Sequence, residues 1–309
     1  MKVFTIGANV VGTAGFVYAM HVLGWMQIRS ALFQMGWGLA AVVVLSGLRE
    51  AARALAWAKT VEGPDRLSLR DAFEARLAGE ALSTMLPMGF LIGEPAKAQY
   101  LAGRLPFTIA FRAQLIEFGF YCASLLVLFG AGAFSALSGF AASSLVGLGL
   151  LAVAVARKRL RILPSLRSFS AQQRWWVWGI FTLELAYHAL GIAEVYITLM
   201  LISPKPATWA SAIVFETVNR GMTMAFKMIP LRIGVDEAAA AMVSQRLALG
   251  TSTGLMLALV RKLRMLLWGA VGLMFALTRP MRRSPVATPG GDDRPVARPS
   301  VFAGIKPRA

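Results

Sequence analysis

The chain has 309 residues, 57% of them hydrophobic and only 15% charged, with a net charge of +17. Soluble domains run near ~45–50% apolar and ~25% charged, so this composition leaves too few polar groups to cover a water-facing surface. The basic residues sit between apolar runs or in the C-terminal segment, as in cytoplasmic loops facing anionic headgroups; no nucleic-acid-binding motif is present.

Residues 3–28 open the chain with an apolar run longer than the ~20 residues that span hydrocarbon, and too long for a signal peptide. His21 within it is a packing or interface residue. Residues 35–58 predict a second helix, whose later half carries Arg49, Glu50 and Arg53, near an interface or facing other helices. Residues 59–71 form a polar loop, with Ser68 as N-cap and Asp71 at the third helical position. Residues 72–106 are mixed: an apolar helix holding Glu74, Arg76, Glu80 and Pro87 is broken at Gly93-Glu94-Pro95, and a shorter helix runs on to Leu101. Such a broken pair suits a re-entrant hairpin, because irregular backbone at membrane depth survives only where protein or water satisfies it.

Residues 107–132 and 138–156 predict two spans, with the single cysteine, Cys122, in the first; one thiol excludes an intramolecular disulfide. A basic loop follows over 157–174. Residues 175–202 predict the next span, opened by an interfacial belt of Trp175, Trp176 and Trp178. Residues 207–229 carry Glu216, Arg220 and Lys227 on one face. Pro230 and Gly234 break that helix, a short Ala-rich helix occupies 235–249, and a final span 254–278. Residues 279–309 are Pro-, Arg- and Gly-rich and predict a disordered tail.

The expectation is therefore an all-α polytopic membrane protein: a transmembrane domain over 1–278 and a basic cytoplasmic tail over 279–309. It has five or six clear spans, two broken segments and both termini inside. The two breaks echo each other: Leu86-Pro87-Met88-Gly89-Phe90-Leu91-Ile92-Gly93-Glu94 against Ile229-Pro230-Leu231-Arg232-Ile233-Gly234-Val235-Asp236-Glu237. Paired interruptions in two halves point to a midplane site in an inverted repeat, where helix ends favour anionic groups.

Several charges fall within the apolar runs, where they cost ~2.5–3.5 kcal/mol each and face the bundle interior. Glu216 and Arg220, four apart, form either a wall of a polar cavity or an internal ion pair. Glu117 and Glu80 each invite a basic partner on another helix. Glu184 and His188, also four apart, suggest a Glu–His hydrogen bond or a proton relay; a third metal ligand is not evident. Arg261, Lys262 and Arg264 bind phosphate or, the favoured reading, snorkel to an interface. No nucleophile elbow, phosphate-cradling loop or cysteine–histidine pair points to catalysis, and neither a metal nor a cofactor is implied.

Pro87, Gly93, Glu94 and Lys97, with Pro230, Gly234 and Glu237 and the later Leu259-Val260-Arg261, resemble the motifs of the flippase-like family. That family comprises the transmembrane region of lysylphosphatidylglycerol synthases and stand-alone relatives. This chain departs from the pattern by two extra residues before Gly93-Glu94 and by Leu231-Arg232 where the family favours glycines. With only a tail after residue 278, the resemblance implies translocation or handling of a polar or anionic lipid, not its synthesis. The implied home is the cytoplasmic membrane of a prokaryote, with membrane lipids as partners. Glu94, Glu237, Arg220 and Arg232 are expected to line the cavity. A lipid- or glycan-modifying enzyme and an accessory subunit of a lipid-synthesis pathway stay open as alternatives.

Overall fold

This computed structural model describes residues 35–61, 66–86, 88–136, 171–232 and 234–278, together with Met26, Arg29 and Phe33. The spans expected over 3–28 and 138–156, most of the loop 157–174, the tail 279–309, His21 and Pro87 lie outside the described residues. Among the described residues the fold is all-helical. The helices are α1 (Gly38–Thr60), α2 (Leu69–Met85), α3 (Phe90–Tyr100), α4 (Phe107–Ala136), α5 (Ala171–Ile202), α6 (Trp209–Ala225), α7 (Val235–Arg246) and α8 (Thr251–Thr278). A single 3₁₀ turn, Pro230–Arg232, sits between α6 and α7.

Among the described residues, only α4 and the Trp175–Ile202 part of α5 are both long and apolar enough to cross a membrane. α1 and α8 have the length but carry internal charges, and those charges point inward. At 1.5 Å per residue, α3 and α7 extend only ~17–18 Å, about half of the ~30 Å hydrocarbon core. The exterior is apolar: Val44, Leu126, Val127, Phe134 and Met200 are all exposed, as are Trp175 and Trp178 of the expected belt. Trp176 instead donates its Nε1–H to the Lys59 carbonyl at 2.7 Å, tying the start of α5 to the end of α1.

α1 and α5 are the central pair and run antiparallel, since Gly38 meets Leu201, Arg49 meets Glu194 and Lys59 meets Trp176. About this pair the two halves match. α2 packs on α8 as α6 packs on α4; α2 packs on α3 as α6 packs on α7; α1 meets α4 as α5 meets α8. The apolar clusters obey the same exchange. One joins the end of α1 (Ala54, Trp57), the start of α2 (Ala72, Ala75), the end of α3 (Ala98) and the start of α4 (Ala110, Ala113). The other joins the end of α5 (Val195, Leu199), the start of α6 (Ala212, Phe215), the middle of α7 (Ala240) and the start of α8 (Leu257, Val260). With α1 and α5 antiparallel, the cores lie at opposite ends of the bundle, which is the arrangement of an inverted repeat.

The first break falls earlier than the sequence suggests. α2 ends at Met85 and α3 starts at Phe90, so Gly93, Glu94 and Pro95 lie inside α3. Pro95 is the sixth residue of α3, beyond the first four N–H groups that lack a helical partner, so its missing N–H costs the ladder one bond. Gly93 serves packing: a Cβ there would meet the Gly79 carbonyl and Ser83 of α2. The second break forms where expected, and α7 begins at Val235 with Gly234 at φ +84°, a conformation that favours glycine. Both breaks place the residue after proline in the left-handed region, Met88 at φ 51° and Leu231 at φ 52°. The breaks touch: the Met88 N–H donates to the Met228 carbonyl at 3.2 Å.

That backbone bond holds the two Cα atoms near the ~4.4–6.8 Å that a disulfide spans. In a Cys122→Ser background, Met88→Cys and Met228→Cys together are expected to cross-link under mild oxidant, detected as a mobility shift on non-reducing gels. Failure to cross-link while each thiol alone reacts with maleimide would contradict the contact.

Candidate functional site

Arg49 anchors the site. It is 3% exposed in the middle of α1 and donates to Glu194 of α5 at 2.7 Å and to Glu216 of α6 at 3.0 Å. Gly191 of α5 makes the room, since a Cβ there would stand 2.7 Å from Glu216 Oε1 and 2.9 Å from Arg49 Cζ. Glu216 also accepts from Arg220 Nε at 2.8 Å, one helical turn along α6, and lies 3.6 Å from Arg261 Nη2. Glu194 receives Arg264 Nη1 at 2.5 Å. Tyr187 of α5 closes the group. Its hydroxyl accepts from Arg220 Nη1 at 2.6 Å, and its ring lies under the guanidinium groups of Arg49 and Arg220 at 4.7 and 4.9 Å. Cations over an aromatic face gain from the ring quadrupole, most of all where water is excluded.

A second group joins the breaks. Glu94 pairs with Lys97 at 3.0 Å and with Lys227, from beyond α6, at 3.2 Å, and accepts from Gln114 of α4. Lys97, 3% exposed, also reaches Glu80 of α2 at 3.2 Å. On the other side Arg232 Nε donates to Asp236 at 2.9 Å. Glu237 accepts from the Gly234 N–H at 2.9 Å, capping α7, and meets Lys262 of α8 at 2.7 Å.

Between these groups lies a cavity of about 120 Å³, several times the ~10–15 Å³ that one water requires. Its wall carries six basic side chains, Arg49, Arg220, Arg232, Arg261, Lys262 and Arg264, against three acidic ones, Glu50, Glu80 and Asp236. Asn219, Thr223 and Tyr187 add neutral polar groups, while Leu77, Met265 and Trp268 supply an apolar side. Two buried donors at the wall, Arg49 Nε and Arg261 Nη2, have no hydrogen-bond partner. A buried donor without an acceptor is costly, so this wall suits an incoming acceptor. Guanidinium forks match the planar oxygens of phosphate and carboxylate groups.

Of the residues singled out from sequence, Arg220, Arg232 and Arg261 reach the cavity wall, and Glu216 stands directly behind it. Glu94, Lys97 and Glu237 do not line it; they hold the two breaks through ion pairs. Gly93 and Gly234 shape backbone. Pro230 begins the 3₁₀ turn. Two readings are corrected. Arg261, Lys262 and Arg264 do not snorkel outward: α8 starts at Thr251, so they fall in its third and fourth turns, facing the bundle, with Lys262 2% exposed. Glu184 and His188 form no hydrogen bond with each other. His188 Nε2 pairs with Ser124 Oγ at 3.1 Å, and Glu184 faces Arg53 at 3.5 Å. Arg49, Glu194, Tyr187 and Arg264 were not singled out for the cavity. For Arg49, Glu194 and Arg264 the one sequence signal is charge inside a long apolar run, which marks the interior without naming a partner; the neutral Tyr187 carries none.

Residues 5–272 match the family described as the lysylphosphatidylglycerol synthase TM region, and the chain belongs to that family. No curated protein and no solved structure matches the chain.

Truncating Arg49 leaves Glu194 and Glu216 each short of a buried partner. Arg49→Ala is expected to lower the unfolding free energy in detergent by about 3–5 kcal/mol. Arg70→Ala, which removes an ion pair from a side chain 79% exposed, should leave the unfolding midpoint close to that of wild type. Denaturant titration of both variants, followed by circular dichroism, measures the contrast.

Proposed function

We propose that this member of the lysylphosphatidylglycerol synthase TM-region family moves an anionic lipid headgroup between leaflets through the cavity at its two broken helices. The observation that carries the reading is the cation-rich wall, which takes Arg232 from the second break and includes two buried guanidinium donors with no acceptor. A phosphate-bearing headgroup supplies the missing acceptors. Its acyl chains stay outside the bundle, against an exterior of exposed leucine, valine, phenylalanine and methionine.

The energetics favour such a path over the open bilayer. A charged headgroup in hydrocarbon loses its hydration without compensation. Inside the cavity, guanidinium groups already removed from water exchange one oxyanion partner for another. Arg220 is suited to that exchange: it holds Glu216 and the Tyr187 hydroxyl at once, and an incoming phosphate competes for the same N–H groups. Asp236 and Glu216 keep the cations paired when the site holds no lipid.

The test is a reconstituted exchange assay with fluorescent phosphatidylglycerol and phosphatidylcholine, read by the dithionite-accessible fraction. Wild-type protein is expected to exchange phosphatidylglycerol well above protein-free vesicles and to favour it over phosphatidylcholine. Arg261→Gln removes a donor held only loosely by Glu216, and should slow phosphatidylglycerol exchange about tenfold, equivalent to ~1.4 kcal/mol. A wild-type protein that exchanges neither lipid would overturn the reading.

A further inference from the structure

Behind Tyr187 lies a buried cluster that the cavity does not use. Glu184 of α5 is 0% exposed, and neither of its carboxyl oxygens has a hydrogen-bond donor among the described residues. Its cation partner is Arg53 of α1, with Nε at 3.5 Å. Arg53 is already committed, giving Nε and Nη2 to Glu117 of α4 at 2.8 and 2.7 Å. Arg76 of α2 holds Glu50 at 2.9 Å and reaches Glu117 at 3.7 Å. α4 also contributes Tyr121, whose ring lies 4.2 Å from the Arg53 guanidinium, and Cys122. The helix of Glu184 itself presents Tyr187 and His188, and His188 Nδ1 has no partner. Arg49, Arg220 and Glu216 approach this cluster through Tyr187.

Two guanidinium groups, Arg53 and Arg76, thus serve three carboxyl groups, Glu50, Glu117 and Glu184. The surplus falls on Glu184, the most deeply buried of the three and the one without a hydrogen bond. Glu117 and Glu184 share Arg53 as a cation, its Nε lying 2.8 Å from Glu117 Oε1 and 3.5 Å from Glu184 Oε2. Two carboxylates crowded on one guanidinium repel, and a proton arriving at Glu184 relieves that repulsion.

We infer that Glu184, which shares Arg53 with Glu117, is a proton-binding site that takes up one proton with each anionic headgroup admitted to the cavity. The inference rests on the transport reading above and adds its coupling ion. The chemistry is a simple protonation: the Glu184 carboxylate becomes a carboxylic acid, and the proton returns to water when the headgroup leaves. Charge balance gives the reason for coupling. A headgroup phosphate adds one negative charge to a low-dielectric interior, where net charge is expensive. A proton on Glu184 cancels it. The link is physical, because the Tyr187 ring lies under Arg53 at 5.3 Å as well as under Arg49 and Arg220. By thermodynamic reciprocity, the headgroup then raises proton affinity by the same factor that the proton raises headgroup affinity.

Two measurements on the full chain test this. Infrared difference spectra across a pH titration, in phosphatidylglycerol–phosphatidylcholine vesicles, are expected to show a carboxylic-acid carbonyl band. Glu184→Gln should remove that band. Glu117→Gln should remove it too, because Arg53 is then free to pair with an ionised Glu184. Glu184→Gln copies the protonated shape and is expected to fold like wild type. A spectrum with no band that depends on Glu184 overturns the proton site. In the exchange assay, an imposed pH difference should concentrate labelled phosphatidylglycerol about tenfold per pH unit for one coupled proton. Glu184→Gln should abolish that accumulation and keep downhill exchange. Wild-type exchange that ignores the gradient overturns the coupling, even with the band present. Wild-type protein that moves no lipid overturns the transport reading instead, and the infrared band still decides the proton site.

Discussion

The pairing of buried charge governs this structure. Every carboxylate among the described residues lies within 4.0 Å of an arginine or lysine nitrogen. Few of these pairs are local. Arg49 joins α1 to α5 and α6, Arg53 joins α1 to α4 and α5, and Lys227 reaches back across the chain to Glu94. In hydrocarbon a helix gains little from burying leucine against leucine, because lipid tails are equally apolar. Unpaired charge, by contrast, is penalised steeply, so the ion pairs select one arrangement of helices over others that would bury as much apolar surface.

The inverted repeat distributes that constraint. The two apolar cores occupy opposite ends of the α1–α5 pair, and the charged network fills the space between them. The backbone is approximately symmetric but the charges are not. α8 carries Arg261, Lys262 and Arg264, whereas α4, its counterpart in the other half, carries Gln114 and Glu117 toward the interior. The first break is held by an acidic residue between two lysines, the second by an arginine beside an aspartate. The cavity is cationic because basic side chains of the second half converge there, joined by Arg49 from the first.

Sequence showed the elements far better than the contacts. Helix limits for α1, α4, α6 and α8 follow from apolar length, and Ser68 is found capping α2 through the Asp71 N–H at 3.1 Å. Proline and glycine marked both breaks, yet the first was displaced, because Gly93 resembles a breaker in sequence while acting as a contact between α2 and α3. Spacing of i to i+4 predicted Glu216–Arg220 correctly and Glu184–His188 wrongly. The difference is competition: Ser124 takes the histidine and Arg53 stands beside the glutamate, and neither partner is visible from α5 alone. Register between distant helices is a tertiary property, so Arg49 could be recognised as interior without its partners being known.

The same economy makes the arginines unequal as probes. Arg49 holds two carboxylates through Nη1 and Nη2 and is stacked on Tyr187, with only Nε unpartnered, so removing it disturbs the frame before it disturbs any ligand. Arg261 stands at 3.6 Å from one oxygen of Glu216, a carboxylate already satisfied by Arg49 and Arg220. Its side chain contributes little to pairing and leaves a donor facing the cavity. Structural and ligand-directed roles are therefore carried by different residues around one carboxylate. A cation wall built only of saturated pairs would be stable and inert, and one built only of loose donors would not fold. Glu216, shared among three arginines at graded distances, permits both.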